Sequence, residues 1–375
     1  MTDTTTDMTE RAQGPAEQRP TAEFEAHDQH GGYEASEAAE LLTAARLSVD
    51  PEVRRAVDSL PGGMRRIARY HFGWEHADGT PAAGHAGKAI RPALVLAAVR
   101  ALGGEQAMAV RAAAAVELTH NFTLLHDDVM DRDPTRRHRA TAWTVFGEAD
   151  AILAGDALQA LAQRLLAEDP HPGAGEAAAR LAACVVELCA GQHADSTFER
   201  RGPGEVTLDE CLAMAEAKTG ALLGCACALG ALYAGARRSE VEALDGFGRE
   251  AGLAFQLIDD VIGIWGDPGH TGKPARADLA ARKKSLPVVA ALASGTRAAA
   301  DLAELYGRPA PGSESDGDLE RIAHAVEAAG GKDWALMQAA DRMSRALNQL
   351  SRAVPVPEAA GSLLALAEFV TRRTY

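Results

Sequence analysis

The stretch His120 to Arg139 reads HNFTLLHDDVMDRDPTRRHR, an acidic cluster followed by a basic one. Asp127 and Asp131 are four residues apart. On a helix they share one face, a turn apart. Carboxylates so placed repel unless a cation lies between them, and hard oxygen donors at that spacing suit Mg²⁺. Arg136 and Arg137 follow. Guanidinium groups suit the planar, bidentate capture of phosphate oxygens. Together these residues point to a diphosphate held through Mg²⁺. The competing reading is a charged helix end that faces solvent.

A second stretch, Gly252 to Asp267, reads GLAFQLIDDVIGIWGD. Again an apolar helical run delivers an acid pair, Asp259 and Asp260. Two apolar helices that each end in Asp-Asp are costly unless the acids face a shared cation. Upstream lies GKAIRP, Gly87 to Pro92, and between the acid pairs lie GQHAD and Lys218-Thr219-Gly220. After them comes TGKPARADLAARKKSLP. In this order, from about Leu41 to the C-terminus, the chain resembles the trans-isoprenyl diphosphate synthases of the polyprenyl synthetase family, in particular the short-chain geranylgeranyl and farnesyl diphosphate synthases.

The resemblance implies a site. Asp127 and Asp131 would hold two Mg²⁺ and Asp259 a third, three per site, with Asp128 and Asp260 in support. Lys88, Arg91, His120 and Arg137 would bind isopentenyl diphosphate. Arg136, Lys218 and Lys273 would bind the allylic diphosphate, with Thr219 and Gln256 near the ionising carbon. Asp127, Asp131, Lys218 and Asp259 form the catalytic set. The released pyrophosphate would take the proton. One departure stands out: relatives carry D-D-x-x-D as the second motif, and its fifth position here is Gly263.

These residues need helices to position them. Alanine is abundant, aromatics make up 5%, and helical periodicity dominates from Ala38. Pro51 and Pro61-Gly62-Gly63 punctuate the early helices. Pro92 suits a first helical turn, which puts Lys88 and Arg91 at a helix start where N–H groups favour anions. Ala107 to Leu125 is a long apolar helix leading into the first acids. With no convincing strands, the expectation is an all-α bundle around a central cavity, the isoprenoid synthase fold that the resemblance implies, usually a homodimer.

Composition bounds the rest. A net charge of −15 argues against nucleic acid. The cysteines form no C-x-x-C pair and read as buried apolar residues of a reducing cytoplasm. Thr219 to Ala236 carries no charge but leans on Ala and Gly, which reads as a packed core helix and not as a membrane span. Residues 1–37 are acidic, polar and nearly free of aliphatics, and are expected to form a disordered tail before a domain over 38–375. Its composition resembles the tails of relatives that dock into encapsulin-type shells.

The expected activity is Mg²⁺-dependent head-to-tail condensation of isopentenyl diphosphate with an allylic diphosphate. Phe122 and Thr123, about one turn before Asp127, would form the pocket floor and set product length at twenty carbons, with fifteen as the runner-up. A class I terpene cyclase would need no isopentenyl site, and Lys88, Arg91 and His120 argue against it. A noncatalytic subunit would be expected to lose the first-motif acids, which are present.

Overall fold

The computed structural model describes residues 23–82, 84, 87–267, 276–307 and 316–371, with side chains from residue 37 onward. The architecture is the expected all-α bundle. Ten helices carry the chain through both acid motifs. They are α1 (Glu23–Asp58), α2 (Gly62–His71), α3 (Ile90–Ala101), α4 (Val110–Met130), α5 (Ala142–Phe146), α6 (Glu148–Ala167), α7 (Ala174–Phe198), α8 (Leu208–Ala215), α9 (Ala221–Tyr233) and α10 (Arg238–Trp265). Helices Leu286–Ala293, Gly331–Ala353 and Pro357–Thr371 complete the packing.

Helix α9 is the hub. Its side chains from Ala221 to Ala231 are all buried, and it packs against α3, α7 and α10. Small residues permit those close approaches, and Leu222, Leu223 and Leu229 fill the layers between. The stretch Leu208–Tyr233 is long and apolar enough to cross a membrane, yet 72% of its apolar window is buried inside the fold. It is a core helix, as its Ala/Gly composition predicts. Helix α4 lies against α6 and α3, with Ala112 to Val116 fully buried on a run of strong helix formers.

Several expectations are revised. Helix α1 starts at Glu23, so helical backbone reaches into the segment that composition gave to the tail, and residues 1–22 lie outside the described residues. Pro51 lies inside α1 and does not end it. The missing N–H removes one rung, but Val49 and Val53, each 1% exposed, anchor the helix on both sides. A two-residue antiparallel pair, β1 (Thr135–Arg136) and β2 (Arg139–Ala140), interrupts the helices. Four of the five cysteines are buried, but Cys189 is exposed.

Candidate active site

The first acids lie at the C-terminal end of α4. Asp127 and Asp128 occupy its last turn and Asp131 caps it. A helix C-terminus carries partial negative charge, so this is the wrong end for carboxylates unless a cation offsets them. Burial lifts Asp127 to about 6, against the opposing Lys218 ammonium and with the Asp131 and Asp128 charges adding to the rise. Burial also raises Asp131 and Asp128. Asp128 accepts from Arg136 Nε at 2.7 Å, while its other oxygen is buried without a hydrogen-bond partner among the described residues.

Lys218 faces these acids from an unusual piece of backbone. Glu216–Gly220, between α8 and α9, is one turn of π-helix. Such a turn carries an extra residue that re-aims side chains and often marks a functional site. Gly191 of α7 makes room for it: a Cβ there would lie 2.6 Å from Lys218 N. The Lys218 ammonium is paired to Asp195 Oδ2 at 2.6 Å.

From the π turn a chain of hydrogen bonds runs to the second acid pair on α10. Thr219 Oγ1 donates to Gln256 Oε1 at 2.7 Å, and Gln256 Nε2 donates to Asp260 Oδ1 at 2.8 Å. The other Asp260 oxygen accepts from Leu286 N at 2.9 Å, at the start of the helix Leu286–Ala293. Asp260 is buried and lifted to about 6 by that burial, whereas Asp259 is half-buried. Lys283 Nζ sits 3.9 Å from Asp260 Oδ1. Burial alone would lower the Lys283 ammonium, but Asp260, Asp278, Asp195 and Asp259 outweigh it and hold it well above the usual lysine range.

The basic end is assembled from α3, α4 and the hairpin. Arg91 Nη1 lies 3.1 Å from His120 Nε2, across the α3–α4 contact. Burial brings Arg91 down to about 10, and its Nε has no partner among the described residues. Burial, then the Arg91 charge, holds His120 well below the ordinary imidazole range, so it is neutral at pH 7. Lys88 Nζ sits 5.2 Å from the centre of the Phe369 ring on the last described helix. Arg137 and His138 form the tight turn between β1 and β2, with φ of 50° and 61°. Two successive left-handed residues are what a right-twisting two-residue hairpin demands. Without glycine they carry strain of about 1–2 kcal/mol each, at a place that aims a guanidinium.

Behind this end, His71 Nε2 lies 3.1 Å from Asn121 Oδ1, and Asn121 Nδ2 donates to Glu117 Oε1 at 3.1 Å. Burial, then Arg136, pushes His71 down to about 3, so it adds no positive charge.

One cavity of about 470 Å³ joins the chemistry to an apolar end. Arg91, His120, Asp127, Lys218 and Thr219 line it together with Phe122, Thr123, Leu188 and Leu222. Phe122 is packed edge-on against His126, with ring centres 4.7 Å apart. Thr123 Oγ1 donates back to His120 O at 2.8 Å, which leaves its methyl group as the apolar part. A larger cleft of about 1050 Å³, lined by Trp265, Arg276, Asp301 and Glu320 among others, holds none of the expected site residues.

Of the expected residues, Lys273 lies outside those described. GQHAD lies near the pocket, as the family resemblance implies, but nothing in its spacing pairs Asp195 with Lys218. Gln192 lines the cavity, and its amide atoms are both buried without partners among the described residues.

The donor set fits Mg²⁺. Among the described residues no three acid, histidine or cysteine side chains converge into a ready-made ion site. Mg²⁺ is commonly held by one or two carboxylates together with substrate phosphates and waters, and acids on two helices beside lysines and arginines provide that.

Helices that set acids and bases at the mouth of a partly apolar cavity define an all-α enzyme for a diphosphate with a hydrocarbon tail. The chain belongs to the polyprenyl synthetase family and, with it, to the prenyl diphosphate synthases: the family match covers residues 80–326. It is 49% identical over 334 residues to a geranylgeranyl diphosphate synthase of Mycobacterium tuberculosis, covering 89% of this chain and 93% of the relative. It is 43% identical over 335 residues to a (2E,6E)-farnesyl diphosphate synthase of Mycobacterium bovis, covering 89% and 92%. The crystal structure of a polyprenyl synthetase from Streptomyces coelicolor A3(2) superposes with a TM-score of 0.85 at 44% identity, covering 88% of this chain and 98% of that one. None of these comparisons supports a shell-docking role for the N-terminal segment.

Proposed function

We propose that the chain condenses isopentenyl diphosphate with an allylic diphosphate to give geranylgeranyl diphosphate, with farnesyl diphosphate as the shorter alternative. The observation that carries this is the single cavity in which Asp127, Lys218, Arg91 and His120 meet the apolar lining of Phe122, Leu188 and Leu222. A cyclase would have no use for the Arg91–His120 pair on the far side of the acids.

Mg²⁺ bound by Asp127, Asp131 and Asp259, three ions per site, would supply positive charge to the leaving diphosphate. Lys218, Arg136 and Lys273 hold that diphosphate. Lys88, Arg91, Arg137 and neutral His120 hold isopentenyl diphosphate. As the allylic C–O bond breaks, its electron pair goes to the pyrophosphate oxygen. The isopentenyl double bond then attacks the cation and forms the new C–C bond. A proton leaves the adjacent carbon for the released pyrophosphate. Thr219, fixed by Gln256, lines the wall where the cation forms. The enzyme acts as a homodimer in the cytoplasm.

Incubation with isopentenyl diphosphate, Mg²⁺ and dimethylallyl, geranyl or farnesyl diphosphate tests this, with products read by mass. The expected outcome is a twenty-carbon diphosphate from at least one primer. Cyclised hydrocarbon, or no consumption of isopentenyl diphosphate, would overturn the reading.

A further inference from the structure

The α4 acids use an i, i+4 pair, Asp127 and Asp131, to present two carboxylates on one helical face. On α10 the position four residues after Asp259 is Gly263, which has no side chain to offer. Its place is taken. A Cβ at Gly263 would lie 2.6 Å from Asp278 Cγ and 3.2 Å from Asp278 Oδ1. The Asp278 carboxylate therefore occupies the volume that a side chain at position 263 would fill, on the face that carries Asp259 one turn earlier.

Asp278 arrives from a different element, the short helix Ala277–Ala280, which packs against α10. Its backbone carbonyl accepts from Lys283 N at 2.9 Å, which ties the acid to the lysine beside Asp260. Asp278 is only half-buried, so its carboxylate stays within reach of a hydrated ion. A glycine at 263 is thus a requirement of this arrangement. Even one methyl group would displace the incoming acid.

We propose that Asp278 replaces in space the second carboxylate that α10 lacks, and that with Asp259 it holds the Mg²⁺ of the α10 wall. This rests on the prenyl-transfer reading above. It makes Asp278 a ligand of that ion, directly or through a bound water.

The test counts bound metal and does not depend on turnover. Full-length protein is titrated with Mn²⁺ in the presence of inorganic pyrophosphate, and free Mn²⁺ is read by electron paramagnetic resonance. Asp278→Asn keeps the shape and removes the charge; it should lose one bound Mn²⁺ or weaken it by about tenfold or more, the scale seen when a group supporting a metal ligand is removed. Gly263→Ala should do the same by pushing the carboxylate away. The double variant Gly263→Asp with Asp278→Ala moves the acid back onto α10 and should restore the lost ion. Asp259→Ala is the control. If Asp259→Ala loses an ion while Asp278→Asn binds like wild type, the proposal fails and the α10 metal wall stands. If neither variant loses an ion, the metal reading of α10 fails with it. A lower melting temperature in Asp278→Asn with unchanged Mn²⁺ binding assigns it a structural role only and also overturns the proposal.

Discussion

Asp127→Asn should destroy turnover and stabilise the ligand-free protein. In the folded state Asp127 is lifted from an ordinary 3.8 to about 6, chiefly by burial. The folded protein therefore binds this proton more tightly than the unfolded chain does. Stability falls as pH rises wherever the folded state holds more protons. The penalty is absent below 3.8, grows between 3.8 and about 6, and is complete above that. The gap of about two pH units, at about 1.4 kcal/mol each, gives a penalty of about 3 kcal/mol at pH 8. The same linkage leaves about 1 kcal/mol at pH 4.5. Asparagine keeps the shape and carries no charge, so it should recover up to these amounts. For a domain of this size that is about 4 °C in Tm at pH 8. Chemical denaturation at pH 8 and pH 4.5 measures both differences, and steady-state turnover with Mg²⁺ measures the cost to function. Adding Mg²⁺ and pyrophosphate should stabilise wild type more than the variant. A variant less stable than wild type at pH 8, or a gain that does not shrink towards pH 4.5, would refute the claim that the acid is held for chemistry at the expense of the fold.

Further outcomes follow from the same geometry. Lys88→Ala and Arg91→Ala should raise KM for isopentenyl diphosphate, each removing charge-assisted contacts worth about 1.5–3 kcal/mol; initial rates against each substrate separately would contradict this if only the allylic KM moved. Asp195→Asn should loosen Lys218, whose ammonium it holds at 2.6 Å, and raise the allylic KM with little change in the isopentenyl one. Phe122→Ala should lengthen the product and Thr123→Phe shorten it, as both line the cavity beyond Asp127; chromatography of the dephosphorylated products decides, and unchanged lengths in both variants would place the limit on another helix. Arg136→Ala should leave Asp128 buried without its 2.7 Å partner and cost about 3 kcal/mol or more of stability, visible in urea denaturation.

Much of this protein was legible in its sequence because much of it is local. Helical spacing alone puts Asp127 and Asp131 on one face, and alanine-rich runs make α4 and α9 helices whatever packs around them. Motif order carried the family, and the high Ala/Gly content of Thr219 to Ala236 distinguished a core helix from a membrane span. Boundaries governed by packing were less legible, as Pro51 within α1 shows. The site was legible as a set of residues and not as a set of pairs. Nothing in the spacing says that Lys218 sits in a π turn against Asp195, that Arg137 is held in a left-handed hairpin turn, or that Arg91 meets His120. Those contacts join residues far apart in the chain, and their energies depend on burial, which spacing does not encode. Gly263 is the sharpest case. As a letter it is a missing carboxylate; in the fold its empty side-chain volume is filled by Asp278, because only the packing of a later helix against α10 brings the two together.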